Sequence, residues 1–599
     1  MKNKPGKKLA RLRQELKRRN VVRVITVYAA AAFVIMELVS IIVEPLRLPE
    51  WTLPLIIVLL CVGFIIAVIL SWIYDLTPAG IAKTGPVKEN GGDTQPKSSG
   101  IIGWKVTTII SLLVIASLIL LNIFKISGRS GDIRKLEKSI AVLPFYYYNM
   151  DPEAEDLGDA FSNEIITQLY KIKGFDRIIS HTSTLSYKGA DMPSIPIIGD
   201  ELNVNFIIEG SLERQNENVL IQIQIVRADT DDHIWADEFK GEWKNIFEIR
   251  ASIAKDVASE LKTLLSENEI EQIEKQATDN LEAYDLYLLG NQYSQEATEE
   301  SYLKAIEFYE SAIELDPMFA LAYVGIGDVY RSMFFRANWL PEIAYEKSRE
   351  ALLKALEIDD QLAETHYSLA RVKYEYDFEF VAAEEEFKKA IELNPNLARA
   401  YVYYGDLQFL RGRLQEALEL AKKAILLEPT SIHNKTILGF GYYLAGYPDS
   451  AIIRLNSLIQ QYPDIETPKR FLGAVYLSTG EFQEAITMLE KTVEIDPVSQ
   501  GGHMLLGIAY ARAGMEEKTR KQLEVFNRQE KEGKSVSFPR ALLLAELGKI
   551  DSAMYWLERS YREKCQWVIY LREYDYFFTT IRSDPRFIDF YNKIFPDDQ

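Results

Sequence analysis

Residues 396–429 read NLARAYVYYGDLQFLRGRLQEALELAKKAILLEP, and this 34-residue stretch decides the fold of the C-terminal half. Small residues such as Gly405 and Ala417 stand where two helices could cross closely, and large residues flank them. A proline recurs every 34 residues, at Pro395, Pro429, Pro463 and Pro497. Because proline ends a helix and the period is constant, we predict antiparallel helix pairs repeated along the chain.

The same pattern continues on both sides of that stretch. Downstream, Leu438-Gly439 and Leu472-Gly473 repeat the small-residue positions, and upstream Leu289-Gly290 and Ile326-Gly327 do so with insertions. The pattern over residues 281–561 resembles the tetratricopeptide repeat family, in seven or eight units. The resemblance implies an all-α superhelix whose concave wall binds another polypeptide.

The concave wall of such a superhelix is formed by the first helix of each pair. Aromatic and arginine side chains dominate the set that projects there, and these are common anchors of protein interfaces. The candidate protein-binding residues are Tyr367, Arg371, Tyr374, Arg399, Asp406, Phe409, Phe440, Tyr443 and Arg470. Each could instead pack against a neighbouring repeat. We expect Phe409, Phe440 and Tyr443 to form an open apolar strip along the wall.

Three apolar runs occupy the N-terminal quarter of the chain. They are residues 21–43, 51–74 and 103–124. Each reaches the roughly 20 residues that a helix needs to cross a bilayer. Residues 1–23 carry ten Lys/Arg and only one acidic residue, Glu15. Because basic flanks stay in the cytoplasm, we predict three transmembrane helices with the basic tail (1–20) and the linker (75–102) cytoplasmic.

Two features of this N-terminal region leave alternatives open. Glu37 lies inside the first predicted span, and an ionisable group there is a functional candidate. Its alternative role is a hydrogen bond to a neighbouring helix or contact with lipid headgroups. Basic residues also follow the third span, from Lys125 to Lys138, and they argue against the predicted orientation. The basic tail carries the larger bias, so we place the later domains outside the cytoplasm.

Residues 139–265 mix the patterns of strands and helices. The alternation of residues 219–226 predicts a half-buried strand, and the apolar runs 139–145 and 206–212 predict two more. Residues 157–171 have apolar side chains at helical spacing. We therefore predict an α/β domain, so the fold class is multi-domain: transmembrane helices, an α/β domain and an all-α repeat superhelix.

Short motifs of this domain occur in a recognisable order. They are SIAVLPF at 139–145, DAF at 159–161, EGSL at 209–212, HIW at 233–235 and IFEI at 246–249. In this order they resemble the FlgO/TolB-amino-terminal-like domain of bacterial envelope proteins. The resemblance and the predicted topology together imply an inner-membrane protein whose soluble domains lie in the periplasm. Proteins of this kind often carry a cytoplasmic output domain as well; we expect none here, which weighs against a signalling role.

Charge and composition limit the functions that remain. The net charge is −19, and without the +9 of residues 1–23 it becomes −28, which argues against binding nucleic acid. The two cysteines, Cys61 and Cys565, and five scattered histidines provide neither a disulfide framework nor a metal site. No cofactor is expected. The basic tail is expected to meet the lipid bilayer, and the aromatic-rich residues 565–599 to form a helical cap over the last repeat.

We therefore expect a non-catalytic envelope scaffold that binds a protein or peptide through its repeat groove. The first alternative is a transmembrane sensor that relays binding outside the cytoplasm to a cytoplasmic partner. The second is a hydrolase around His181, which stands beside Ser180, Thr182 and Ser183 but lacks a Gly-x-Ser-x-Gly elbow. The sequence leaves the partner and the oligomeric state open.

Overall fold

The computed structural model describes most of the chain from residue 136 onward and a few short pieces before it. The described residues are 28–29, 31–32, 35, 60, 63–64, 74–77, 80–83, 136–148, 157–189, 192–337, 339–565, 567–572 and 575–595. Among them, no helix is both long enough and apolar enough to cross a bilayer. The predicted tail and spans lie largely or wholly outside the described residues, and Glu37 lies outside them too.

The chain divides into two compact units, Met1–Ile119 and Leu120–Gln599. In the first unit, strands β1 (Tyr74–Thr77) and β2 (Gly80–Lys83) pair antiparallel. Tyr28 donates a hydrogen bond to the carbonyl of Leu60 at 2.8 Å. The first two apolar runs of the sequence therefore contact each other.

The second unit begins with a six-stranded sheet. Its strands are β3 (Ser139–Val142), β4 (Tyr146–Tyr147), β5 (Arg177–Ile178), β6 (Phe206–Gln215), β7 (Asn218–Arg227) and β8 (Asp232–Glu242). The order is β5-β3-β6-β7-β8, with β4 pairing the far end of β6. Pairs β5/β3 and β3/β6 are parallel, and β6/β7 and β7/β8 are antiparallel. The hairpin between β6 and β7 turns at Asn216, whose φ of 56° lies in the left-handed region.

Helices cover both faces of this sheet, which confirms the predicted α/β class. They are α1 (Leu157–Tyr170), α2 (His181–Thr184), α3 (Ile195–Leu202), α4 (Ile246–Glu260) and α5 (Glu267–Glu274). Phe161 and Ile165 of α1 join Val257 of α4 in one core against the sheet. Ile198 of α3 packs with Ala141 and Ile207 on the other face. Strand β3 is apolar on both faces because both of its faces are covered, whereas β7 alternates and β8 is largely exposed.

Eight antiparallel helix pairs follow and confirm the predicted tetratricopeptide-like superhelix. The pairs are α6 (Leu281–Gln295) with α7 (Glu299–Leu315), α8 (Ala320–Ala337) with α9 (Pro341–Ile358), α10 (Ala363–Val372) with α11 (Phe380–Leu393), α12 (Ala398–Leu410) with α13 (Leu414–Leu427), α14 (Ile432–Leu444) with α15 (Pro448–Gln461), α16 (Glu466–Thr479) with α17 (Phe482–Ile495), α18 (Gln500–Arg512) with α19 (Glu516–Lys531), and α20 (Ser537–Glu546) with α21 (Ile550–Arg562).

The small residues of the repeat lie where the two helices of a pair cross. A Cβ added to Gly473 of α16 would stand 2.6 Å from Cγ of Leu489 on α17, so only glycine fits without a shift.

The third pair departs from the regular pattern. After Val372 the chain makes a π-helical turn over Lys373–Asp377, and Phe378 then adopts a φ of 63°. This turn directs Tyr374 and Glu375 into the interior, where both are buried.

The chain after α21 reaches back across the superhelix. It contains 3₁₀ turns at Val568–Leu571 and Asp575–Phe578, then α22 (Pro585–Ile594). Phe578 packs edge-on against Phe538 of α20 at 5.8 Å, which is the face that the predicted cap would cover. We name residues 564–572 the strap; the structure describes all of it except residue 566. The strap does more than cap, because it contacts the third and fourth pairs.

The α/β domain and the repeats share a hydrogen-bonded contact. The amide of Ile178 donates to Oδ1 of Asn396 at 3.0 Å, and the amide of Ser180 donates to the carbonyl of Leu427 at 3.1 Å. The guanidinium of Arg177 donates to the carbonyl of Leu426 at 3.3 Å. The short edge strand β5 is thus covered by the fourth pair, which satisfies backbone groups that an open edge would leave unpaired.

A second contact joins the α/β domain to the first pair. The ring of Phe247 on α4 lies 4.8 Å from that of Tyr284 on α6. The guanidinium of Arg250 donates to the hydroxyl of Tyr284 at 2.9 Å and pairs with Glu164 of α1. One apolar core runs from the sheet through these residues into the first two pairs.

Candidate functional site

The interior of the superhelix holds a cavity of about 510 Å³. Its wall comes from the first helix of five successive pairs: α8, α10, α12, α14 and α16. The strap closes it with Trp567, Ile569 and Tyr570. A volume of this size is typical of pockets that enclose a small ligand.

Five of the nine predicted groove residues line this cavity: Arg371, Asp406, Phe409, Phe440 and Arg470. The other four are Tyr367, Tyr374, Arg399 and Tyr443, and they lie next to it or farther along the wall. Tyr367 accepts a hydrogen bond from Arg371 at 2.9 Å, and the Arg399 guanidinium lies 5.5 Å from the Tyr367 ring centre. The five lining residues therefore share one interior surface, and the role of the set in binding a partner stays a prediction.

The prediction that Phe409, Phe440 and Tyr443 form an open apolar strip along the wall is wrong. Phe440 is only 5% exposed, and its ring lies 4.5 Å from Phe471 and 5.4 Å from Tyr443. Phe409 is 4% exposed, and a Cβ added to Gly441 would stand 2.4 Å from the Phe409 ring. The Phe409 side chain is packed because Gly441 of the next repeat lets the two helices approach. The sequence shows Gly441, but it does not show that Phe409 is the residue packed against it.

Arg371 is held in place by its own surroundings. Its Nε donates to Oε1 of Glu375 at 2.5 Å, and the guanidinium lies 3.3 Å from the ring centre of Tyr403. Burial lowers the pKa of Arg371, but Glu375 and the adjacent tyrosines outweigh it, so the pKa is raised overall. Arg371 is therefore fully charged and its charge is matched within the wall.

Asp406 fixes the strap to the wall. One carboxylate oxygen, Oδ2, accepts hydrogen bonds from Tyr374 at 2.7 Å and from Tyr570 of the strap at 3.2 Å. Burial raises the pKa of the Asp406 carboxyl, and the two tyrosine hydrogen bonds only partly offset this. The carboxyl therefore acts as an acceptor that joins α10, α12 and the strap.

Other strap contacts flank this point. Lys564 donates to the carbonyl of Tyr376 at 2.8 Å, and Trp567 donates to Oε1 of Gln500 at 3.1 Å. Arg572 donates to the carbonyl of Leu410 at 2.8 Å. Val568 and Leu571 are fully buried. The strap thus spans from the eighth pair to the end of α12 and lines the cavity on its way.

Sequence reasoning missed several residues that line the cavity, among them Arg331, His433 and Phe471. His433 could have been found, because it stands 34 residues after Arg399 and so occupies the equivalent position. The strap had only a weak signal, its density of aromatic residues. Contacts between residues almost 200 positions apart leave no periodic trace in a single sequence.

His181 lies near a serine, as the hydrolase alternative would need. Its Nε2 is 3.4 Å from Oγ of Ser162. The Ser162 hydroxyl, however, donates to the carbonyl of Asp159 at 2.8 Å and is fully buried. Burial lowers the pKa of His181. The serine hydroxyl next to His181 is therefore part of the packing of α1 against α2.

Comparison with known families supports the two-part architecture. Tetratricopeptide repeat models match residues 386–419 and 471–499, so the chain contains tetratricopeptide repeats. The model for "HilA/YgeH-like transcriptional regulator, second domain" matches residues 136–256, which is the α/β domain. The FlgO/TolB-like resemblance and the membrane anchor remain predictions.

Two curated proteins share part of their sequence with this chain. Putative adenylate cyclase 3 of Rhizobium meliloti is 28% identical over 233 residues, which is 39% of this chain and 39% of that protein. Transcriptional regulator HilA of Salmonella typhimurium is 24% identical over 221 residues, 37% of this chain and 39% of that protein. The chain thus spans about two fifths of the length of these relatives.

Solved structures with a similar fold include a tetratricopeptide repeat protein from Parabacteroides merdae. It is 14% identical, has a TM-score of 0.35, and covers 46% of this chain and 100% of its own.

Proposed function

We propose that this chain is a non-catalytic scaffold whose repeat superhelix holds a protein or peptide partner. The observation that carries the proposal is the array of eight stacked pairs with an inner wall rich in aromatic and arginine side chains. Stacked repeats of this kind offer an extended concave surface, and such side chains are common anchors.

The wall positions that stay accessible are the best candidates for contact with that partner. Arg399 is exposed on the wall, whereas Phe409 and Phe440 are packed beneath it. Arg371 and Asp406 support the wall through their own hydrogen bonds. We therefore expect a partner to contact the exposed wall position Arg399 first. It would contact Phe409 and Phe440 only if the strap moves.

Partner capture tests this proposal with a matched pair of variants. Full-length chain would be cross-linked in cells, and captured proteins would be identified with wild type, Arg399→Gln and Arg454→Gln. Arg454 is an exposed arginine of α15 that does not line the cavity. We expect Arg399→Gln to lose partners that Arg454→Gln retains. Equal capture by both variants would contradict a role for the inner wall.

We also propose that the chain is anchored in a bacterial inner membrane by three spans, with its soluble domains in the periplasm. Support comes from three apolar runs and a +9 tail that suits anionic headgroups. A reporter that functions only in the cytoplasm, fused after Gln599, should be silent. Activity of that reporter would refute the topology.

A regulator is the second candidate. Its support is the partial similarity to a transcriptional regulator and to a putative adenylate cyclase. A regulator of this topology would relay binding through the spans, with Glu37 as a residue to examine. The charge of −28 outside residues 1–23 still favours a protein over nucleic acid as partner. Replacing the spans with an unrelated anchor separates the candidates, because a scaffold keeps its function and a relay loses it.

A further inference from the structure

The cavity has a basic side built by four different helices. Arg331 comes from α8, Arg371 from α10, His433 from α14 and Arg470 from α16. Two carboxyl groups, Glu375 and Asp406, also line it. Whether this side attracts an anion depends on how far the two carboxyl groups are already occupied.

Both carboxyl groups are occupied by donors of the wall. Glu375 pairs with Arg371 and accepts a hydrogen bond from Tyr345 at 3.1 Å. Asp406 accepts from Tyr374 and Tyr570, and burial raises the pKa of its carboxyl, which favours the neutral form. Of the three arginines that line the cavity, Arg371 is the one that forms a short ion pair with these carboxyl groups.

Arg331 and Arg470 have weaker partners. Arg331 is 13% exposed, and its nearest carboxylate oxygens in the described part of the chain are 3.8 Å away on Glu375 and 3.9 Å away on Asp328. Its Nε makes no hydrogen bond there. Arg470 donates from Nε to Glu466 at 3.3 Å, and its guanidinium lies 4.6 Å from the ring centre of Phe471. The charge of Arg331 is therefore only loosely matched, and an anion in the cavity could pair with it.

The pKa of His433 is affected by the same positive charges. The His433 side chain is exposed and lines the cavity, whose walls surround it. Burial lowers the pKa of His433, and the positive charges of Arg371 and Arg470 lower it further. An imidazole in this position stays neutral near pH 7 and can donate one hydrogen bond to an anion.

Most of the remaining lining is apolar or aromatic, and Ser332 and Thr467 add two hydroxyl groups. Phe409, Phe440 and Phe471 form one side, and Ile437 and Ile569 adjoin them. The site therefore combines a few convergent donors with an apolar body inside about 510 Å³, which is the usual composition of a small-ligand pocket.

We propose that this cavity binds a compact amphipathic carboxylate. The carboxylate would lie on the side of Arg331, Arg470 and His433, and the apolar body would lie against Phe440 and Phe471. The scaffold role does not require this site. The same chemistry is offered by a free aromatic or aliphatic acid and by the C-terminal residue of a peptide, because both join a carboxylate to an apolar group.

The first test needs no variant. Full-length chain is titrated by calorimetry with 4-phenylbutyrate and 4-phenylbutyramide, and with N-acetyl-glycyl-phenylalanine and its C-terminal amide. We expect at least one acid to bind about tenfold or more tightly than its amide, a difference of about 1.4 kcal/mol. Binding of the free acid alone identifies a metabolite-like ligand, and binding of the peptide acid alone identifies a chain terminus. Equal affinity of acid and amide in both pairs, or no binding of any probe, overturns the proposal.

The second test locates the acid. Arg470→Gln and Arg331→Gln should each weaken binding of the acid about tenfold and leave the weaker amide binding unchanged. Arg454→Gln, outside the cavity, should bind like wild type. Circular dichroism melting identifies a variant that has unfolded. In that case the other cavity variant tests the placement of the carboxylate. Wild-type affinity in a folded Arg470→Gln or Arg331→Gln chain contradicts this placement of the carboxylate.

Discussion

Asp406 shows how one buried residue can join three parts of a repeat protein. Its Oδ2 receives Tyr374 from the turn after α10 and Tyr570 from the strap, while its backbone belongs to α12. An asparagine could offer a carbonyl oxygen to both hydroxyls without a charge. The ionised carboxylate is therefore not needed for the geometry, and burial opposes it.

Asp406→Asn is predicted to stabilise the protein at pH 7 and to have little effect near pH 3. The folded-state pKa of Asp406 is raised, so its favourable contribution is complete below the unfolded pKa and is lost as pH rises through the folded pKa. Urea unfolding of wild type and variant at both pH values measures the difference. A variant less stable than wild type at pH 7 would mean that the anion is stabilised by Arg371 after all.

Phe440→Ala is predicted to lower the free energy of unfolding by about 3–5 kcal/mol, because it removes a buried ring and leaves a cavity. Phe440 is 5% exposed and contacts Phe471 and Tyr443. Tyr447, which is 51% exposed, provides the control, and Tyr447→Ala should change stability by about 0.5 kcal/mol or less. Urea titration would reveal the contrast. A small effect for Phe440→Ala would indicate that the ring is available to a partner.

The strap is the element that most changes what the repeats can do. A repeat superhelix is elastic when each pair contacts only its neighbours. Here Lys564, Tyr570 and Arg572 bind the third and fourth pairs directly. The strap therefore restrains the inner wall and separates the cavity from the rest of the groove.

Trp567→Ala combined with Tyr570→Ala is predicted to raise amide hydrogen exchange in α12 and in Lys373–Asp377, because the wall loses its cover. Exchange in α6 and α7, far along the chain, should stay as in wild type. Tyr555→Ala, at an exposed position of α21, is the matched control. Hydrogen exchange with mass spectrometry measures all three regions. Unchanged protection in α12 would show that the strap covers the wall without restraining it.

The elements were predictable to very different degrees. The repeats follow from a 34-residue period that local packing imposes on the sequence, as Gly473 against Leu489 illustrates. The sheet follows from alternating and apolar runs such as that of β7. The cavity could be predicted only as a set of wall residues such as Arg371 and Phe440. Its closure depends on the hydrogen bond between Tyr570 and Asp406, which are 164 residues apart in the sequence. No local sequence preference encodes such a contact.

At the scale of the whole molecule, the α/β domain and the repeats share one core. Phe247 and Arg250 of α4 cover Tyr284 of α6, and β5 is covered by Asn396 and Leu427 of the fourth pair. Stacked repeats stabilise one another, so a fragment of residues 272–599 could be expected to fold alone. The structure indicates that such a fragment would expose the apolar face of α6 that α4 covers.

Residues 136–599 are predicted to unfold in one calorimetric transition, because the shared core couples the two parts. The ratio of calorimetric to van't Hoff enthalpy should then be close to one. Asn396→Ala should lower the melting temperature of the whole transition, because the amide of Ile178 loses its acceptor at a cost of about 1–3 kcal/mol. Two separate transitions would show that the domain and the repeats fold independently.

The strap also bears on how this protein can change over generations. Arrays of repeats commonly grow or shrink by duplication and deletion of whole units, since any unit can follow any other. Here the chain leaves α21 and must reach Tyr376, Asp406 and Leu410 on the third and fourth pairs. One unit more or fewer between them would rotate and displace the exit point. The number of repeats after the third is therefore fixed by closure, and the contacts of the α/β domain with both the first and the fourth pair constrain the number of units before it in the same way.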